Sequence, residues 1–224
     1  MIVDSMTFEE VYDEIDRDID NLGAWWMKKR EWLAGMARRR PNFPMVNWIE
    51  WESPRRIKYL VYSKVYGRNY NNQALTIFLA LRRCKNGIEV YVTRLPWQMV
   101  ASSIVFIPHV FDRYADPKRG NVRKQGLDLI KHFFERNGGH TQTSRNQELA
   151  GRSVRYNGEI HLCSCCVDGV LLGDEIADGM IFVARTFITY DMARGLQVEE
   201  FNEKRKQART DGETMMEIKK MYQY

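Results

Sequence analysis

The chain has no stretch of apolar residues long enough to span a bilayer. Its start lacks the cationic-then-apolar pattern of a signal peptide. A membrane protein and a secreted precursor are therefore not expected. Cysteine is scarce, with four in 224 residues, and three of these crowd together at Cys163, Cys165 and Cys166. That is not the spacing of a secreted disulfide framework, so a reducing cytoplasm is the expected compartment. No internal repeat, low-complexity tract, phosphate-binding P-loop, dinucleotide fingerprint or Gly-x-Ser-x-Gly elbow occurs. The sequence calls for no cofactor.

What is present suits a folded core, since 44% of residues are hydrophobic and 12% aromatic. The net charge is +5, and its distribution says more than its total. Residues 1–20 hold eight acids against Arg17 alone, whereas residues 82–155 hold fourteen Lys or Arg against six acids. A basic middle suits a polyanionic partner such as RNA. Unevenly charged soluble domains also occur, and acids early with bases late match the helix dipole without any partner.

Thr7 and Glu10 form a capping-box pair. Apolar residues then recur near a 3.6 period at Phe8, Val11, Tyr12, Ile15, Ile19 and Leu22, followed by Trp25, Trp26 and Trp32. The pattern predicts one long helix over residues 7–40, with a kink at Gly23 and a stop at Pro41. Residues 41–56, with Pro41, Pro44 and Pro54, read as an irregular connector pinned by Trp48 and Trp51. Strand patterns follow at Ile57–Tyr66, Ala74–Arg83 and Ile88–Leu95, the last two joined by Lys85-Asn86-Gly87. These make an antiparallel meander.

A strand-like run at Ile104–Ile107 leads into Pro108, suited to the first turn of a helix. A second helix is expected from about Val122 to Arg136, with Gly138 and Gly139 as its C-cap. Residues 140–150 read as a polar loop. A second antiparallel sheet is expected over 152–189, because Asn157-Gly158 and Asp168-Gly169 are both hairpin signals. Residues 198–224 read as a charged, solvated or docking helix. The overall expectation is an α+β protein: residues 1–56 as helix and connector, 57–197 as the core, and 198–224 as the C-terminal helix. A protein partner would use the N- or C-terminal helix.

Three constellations could carry chemistry. His161, Cys163, Cys165 and Cys166 offer soft metal ligands. Alternate residues on a strand lie about 6–7 Å apart, and zinc ligands must converge within about 4 Å. Buried cysteines in a sheet are the simpler reading, and no metal is assigned. Asp174, Glu175 and Asp178 fall in an expected loop between strands, where acids are ordinary turn residues. The third constellation is His109 with Arg113, one helical turn apart. Metal-independent cleavage of a phosphodiester needs a proton carrier near neutral pH and a fixed cation on the phosphate. Histidine and arginine supply these. The alternative is a helix-start histidine bonded to a backbone carbonyl, with Arg113 paired to Asp112 or Asp116.

From Ile104 to Thr189 the order is strand, His109-x-x-x-Arg113-Tyr114 on a helix, a second helix ending Arg136-Asn137-Gly138, then an antiparallel sheet closing on Arg185-Thr186-Phe187-Ile188-Thr189. This order resembles the RelE and barnase-like ribonuclease group, some of whose members open the first helix with His-Ala-x-x-Arg. Val110 stands where that pattern has alanine, Arg119 only loosely matches the group's further arginine, and the chain is much longer than a minimal toxin. The resemblance implies an RNA-directed, toxin-like hydrolase with His109, Arg113 and Arg185 as catalytic residues and Thr186 nearby. Lys118, Arg119, Arg123, Lys124, Arg152 and Arg155 are the expected RNA contacts. The alternative function is a non-enzymatic interaction or assembly protein.

Overall fold

The computed structural model describes residues 2–95, 103–116, 122–138, 143–144, 161–178 and 180–192. It is a mixed α+β fold built on one large, mostly antiparallel sheet. The strands are β1 (Met45–Glu52), β2 (Lys58–Val65), β3 (Ala74–Cys84), β4 (Gly87–Thr93), β5 (Ser103–Phe106), β6 (Thr143–Ser144), β7 (His161–Cys165), β8 (Gly169–Ile176) and β9 (Ile181–Thr189). Their order across the sheet is β1-β2-β3-β4-β5-β9-β8-β7-β6. The helices are α1 (Phe8–Asp16), α2 (Ile19–Arg39), the single turn α3 (Tyr70–Gln73), α4 (Pro108–Ala115) and α5 (Gly126–Asn137).

The two expected β regions are one sheet. β5 and β9 pair in parallel, with Ser103 opposite Ile181 and Phe106 opposite Ala184, and this pair joins the meander to the later strands. Parallel pairing leaves no local sequence signal, because the partners lie some way apart along the chain. β1 is likewise a strand and not an irregular connector. Its alternation is visible once Pro44 and Pro54 are read as the ends of a strand. Trp48 and Trp51 do pin it, but to opposite faces of the sheet. The Trp48 ring packs on Tyr62 at 4.8 Å, and Trp51 stacks between Trp25 at 4.8 Å and Tyr59 at 5.5 Å.

Period-two alternation sorts the side chains of each strand between two cores. Val61, Phe78, Tyr91, Val105 and Val183 face α1 and α2. Leu60, Leu79, Val90, Phe106 and Phe182 face α4 and α5. The second core is rich in edge-on aromatic pairs, among them Tyr114–Phe133 at 5.0 Å and Tyr114–Phe187 at 5.3 Å.

The expected helix over residues 7–40 is two helices. The capping box at Thr7 and Glu10 is present, but the chain turns at Arg17-Asp18, not at Gly23, which is buried within α2. Asp18 explains the break. Its side chain is fully buried, accepting from Tyr59 Oη at 3.0 Å and from Asn21 Nδ2 at 2.8 Å. A carboxylate drawn under the helix for these bonds fixes the turn there. α5 begins at Gly126 and not near Val122, with Gly126 at φ +55° just inside its start. The Arg152–Tyr156 strand, the Asn157-Gly158 hairpin, Gly139 and the C-terminal helix all lie outside the described residues.

Candidate functional site

α4 is short and amphipathic. Val110, Phe111 and Tyr114 enter the aromatic core, which turns His109, Asp112 and Arg113 outward. Pro108 holds the first turn, where its missing N–H is not needed. His109 is exposed, and Arg113 Nε donates to His109 Nε2 at 3.1 Å. That ring nitrogen is the acceptor in this geometry. The pair stands one helical turn apart on the surface, clear of the hydrophobic interior.

Two open depressions lie at the start of α5, and neither His109 nor Arg113 is among the residues that line them. One, of about 750 Å³, lies between Asp112 and Asp116 of α4 and the chain entering α5, including Arg123 and Lys124. The other, of about 510 Å³, is lined by Arg123, Lys124, Lys131 and His132, together with Asp128 and Glu135. His132 was not singled out in the sequence because it sits in the middle of the α5 pattern, away from any motif. Burial holds its imidazole below the ordinary histidine range, and the nearby Lys124 charge adds to this.

Arg185 does not join His109 and Arg113. It is the extra residue of a bulge, since Leu172 pairs with Thr186 while Gly173 pairs with Ala184. Its Nε donates to Asp174 Oδ2 at 3.0 Å, and its guanidinium lies 5.8 Å from the Phe8 ring of α1. Both contacts are on the α1 side of the sheet, opposite α4. Thr186 follows the same geometry, because its neighbour Phe187 is the residue that packs on Tyr114. The bulge leaves Arg185 on the face of Val183 and puts Phe187 on the other. Lys118, Arg119, Arg152 and Arg155 lie outside the described residues.

Of the three acids expected in a loop, Asp178 lies in the turn between β8 and β9 and the other two are relocated. Asp174 and Glu175 lie on β8, and Asp174 is buried. Among the described residues no group of three or more His, Cys, Asp or Glu is placed to hold a metal ion.

Among the described residues the most heavily bonded acid is Asp168, whose sequence signal is that of a hairpin residue. Tyr114 Oη donates to it at 2.9 Å, Arg136 at 2.6 and 2.5 Å, and Asn137 Nδ2 at 3.2 Å. Its own N–H donates to Asn137 Oδ1 at 2.9 Å. Burial works against the carboxylate, but the donors and the Arg136 charge outweigh it and hold the acid below its usual range. Burial, reinforced by Asp168, pushes the Tyr114 hydroxyl well up. Among the described residues the side-chain donors to Asp168 come from α4 and α5, so the cluster locks the β7–β8 turn onto the helix pair that presents His109 and Arg113. It acts as a strut.

No family model, curated protein or solved structure matches this chain. Among the described residues no helix is long and apolar enough to cross a membrane.

Proposed function

We propose that the outer surface of α4 and of the chain entering α5 binds RNA and can cleave it without a metal. The observation that carries this reading is the surface His109–Arg113 pair, hydrogen-bonded at 3.1 Å, on the helix whose Asp112 lines a depression together with Arg123 and Lys124. Arg113 would take a phosphate oxygen, and Arg123 and Lys124 neighbouring phosphates. In the free protein the guanidinium occupies the imidazole lone pair. A phosphate that draws the guanidinium to itself would release that lone pair. His109 Nε2 would then accept the proton of a 2′-hydroxyl as its oxygen attacks the adjacent phosphorus. The bond to the 5′-oxygen breaks, that oxygen takes a proton from solvent, and a 2′,3′-cyclic phosphate remains. Arg185 has no part in this scheme.

The test uses labelled single-stranded RNA in EDTA. Binding should weaken linearly in log–log form as salt rises, and Arg113→Ala should weaken it and flatten that slope by about one phosphate contact. Cleavage should disappear in His109→Ala with binding kept. Cleavage that survives His109→Ala removes the residue from the chemistry. Binding without cleavage in the intact protein leaves an RNA-binding module. Absence of both favours the non-enzymatic interaction reading.

A further inference from the structure

A third depression, of about 300 Å³, lies beside the first turn of α5, where the β1–β2 and β3–β4 turns meet the sheet. Leu81, Ile88 and Leu127 give it an apolar floor, and all three are half-buried at the margin of the second core. Its rim carries both signs of charge, with Glu52 on β1, Lys58 on β2 and Arg83 on β3. Register puts the three on the α5 face. Glu52 stands opposite Lys58, Lys58 opposite Leu81 and Arg83 opposite Ile88, and directly opposed residues share a face. None of the four residues proposed to meet RNA lines this depression.

The rim charges are not spent on one another. Glu50, which also lines the depression, accepts from Lys131 Nζ at 3.0 Å. Among the described residues Glu52, Lys58 and Arg83 enter no ion pair and no side-chain hydrogen bond, although Glu52 and Lys58 are cross-strand neighbours of opposite charge. We propose that this depression binds a free apolar α-amino acid of about the size of leucine. The occupant follows from the rim and the floor together. An acid on one side and two cations on the other match a ligand that carries both an ammonium and a carboxylate. A wholly apolar ligand would cover three charges without pairing them, and a purely anionic one would meet Glu52. The planar fork of Arg83 takes the two carboxylate oxygens, with Lys58 adding charge beside them. Glu52 accepts from the ammonium, and the ligand side chain lies on Leu81, Ile88 and Leu127. The volume is at the small end of ligand sites.

The test is calorimetric titration of the full chain with three ligands that share one side chain. Leucine carries both charges, leucinamide lacks the carboxylate, and 4-methylpentanoate lacks the ammonium. Leucine should bind about tenfold more tightly than either of the others. Arg83→Ala should weaken leucine about tenfold and leave leucinamide unchanged, because that ligand has no carboxylate to lose. Glu52→Gln should weaken leucine and leave 4-methylpentanoate unchanged. Both side chains are exposed, and circular dichroism checks that the variants fold. Absence of leucine binding overturns the proposal, and so does equal binding of the three ligands. A loss in Arg83→Ala that leucinamide shares also overturns it, since damage to the fold ignores the charge of the ligand.

Discussion

Asp168 concentrates more of the structure than any other acid in the described chain, and its effect is measurable by pH. The folded protein holds its carboxyl below the unfolded value. Its stabilisation is therefore fully present above the ordinary aspartate range, about 3.9, and is lost as pH falls through the lower folded value. Arg136 is half exposed, so water screens its share. The bonds from Tyr114 and Asn137 are better protected. Asp168→Asn should cost about 1–2 kcal/mol at neutral pH, measured as a urea midpoint, with little of that difference left in acid. A difference that persists in acid would mean that shape rather than charge matters there. At this scale the sequence revealed residue types more readily than meetings. His109 and Arg113 were legible because an interval of four on a helix fixes their proximity. Asp168, Tyr114 and Arg136 come from three elements, and no spacing rule joins them. Arg185 was misread because the bulge there turns Phe187, and not Arg185, toward α4.

Among the elements, α1 is short and is anchored by borrowed bonds. Nine residues make a marginal helix in isolation. Arg82, on β3 and only 8% exposed, donates to Met6 O and Asp4 O, each at 2.8 Å, and pairs with Glu89. Tyr12 Oη adds bonds to Val92 O and Ile104 O at 3.1 and 3.0 Å. Arg82→Ala should therefore cost about 3 kcal/mol and raise hydrogen exchange through residues 4–16 while α5 stays protected. Arg82→Lys should rescue little, because a single ammonium cannot reach two carbonyls as the planar fork does. Uniform exchange across the chain would show that α1 is not a separate unit. The periodicity, the capping box and the β3–β4 hairpin were legible because local spacing encodes them. The break at Asp18 was not, because its cause is Tyr59, a residue on a strand laid beneath the helix. β1 was hidden by the prolines around it, which mark its ends and not disorder.

The whole molecule turns on the parallel pair β5–β9, which makes one sheet from two stretches that read as separate. A shared sheet couples the two cores on its faces, since β5 and β9 supply Val105 and Val183 to one and Phe106 and Phe182 to the other. Trp25, Trp26 and Trp51 pack on the α1–α2 side and Trp48 on the α5 side, so most of the tryptophan fluorescence from the described residues reports the α1–α2 side. Phe133 is fully buried in the opposite core, touching Phe106, Phe111, Tyr114 and Phe187. Phe133→Ala should cost about 3–5 kcal/mol. If the sheet acts as one cooperative body, tryptophan fluorescence and far-ultraviolet dichroism will shift together to the same lower denaturant midpoint. Two independent halves would instead leave the tryptophan transition near its original place while the dichroism split into two steps. That result would confine the parallel pair to a weak seam, and the helix pair carrying His109 and Arg113 would then fold and fail apart from the meander.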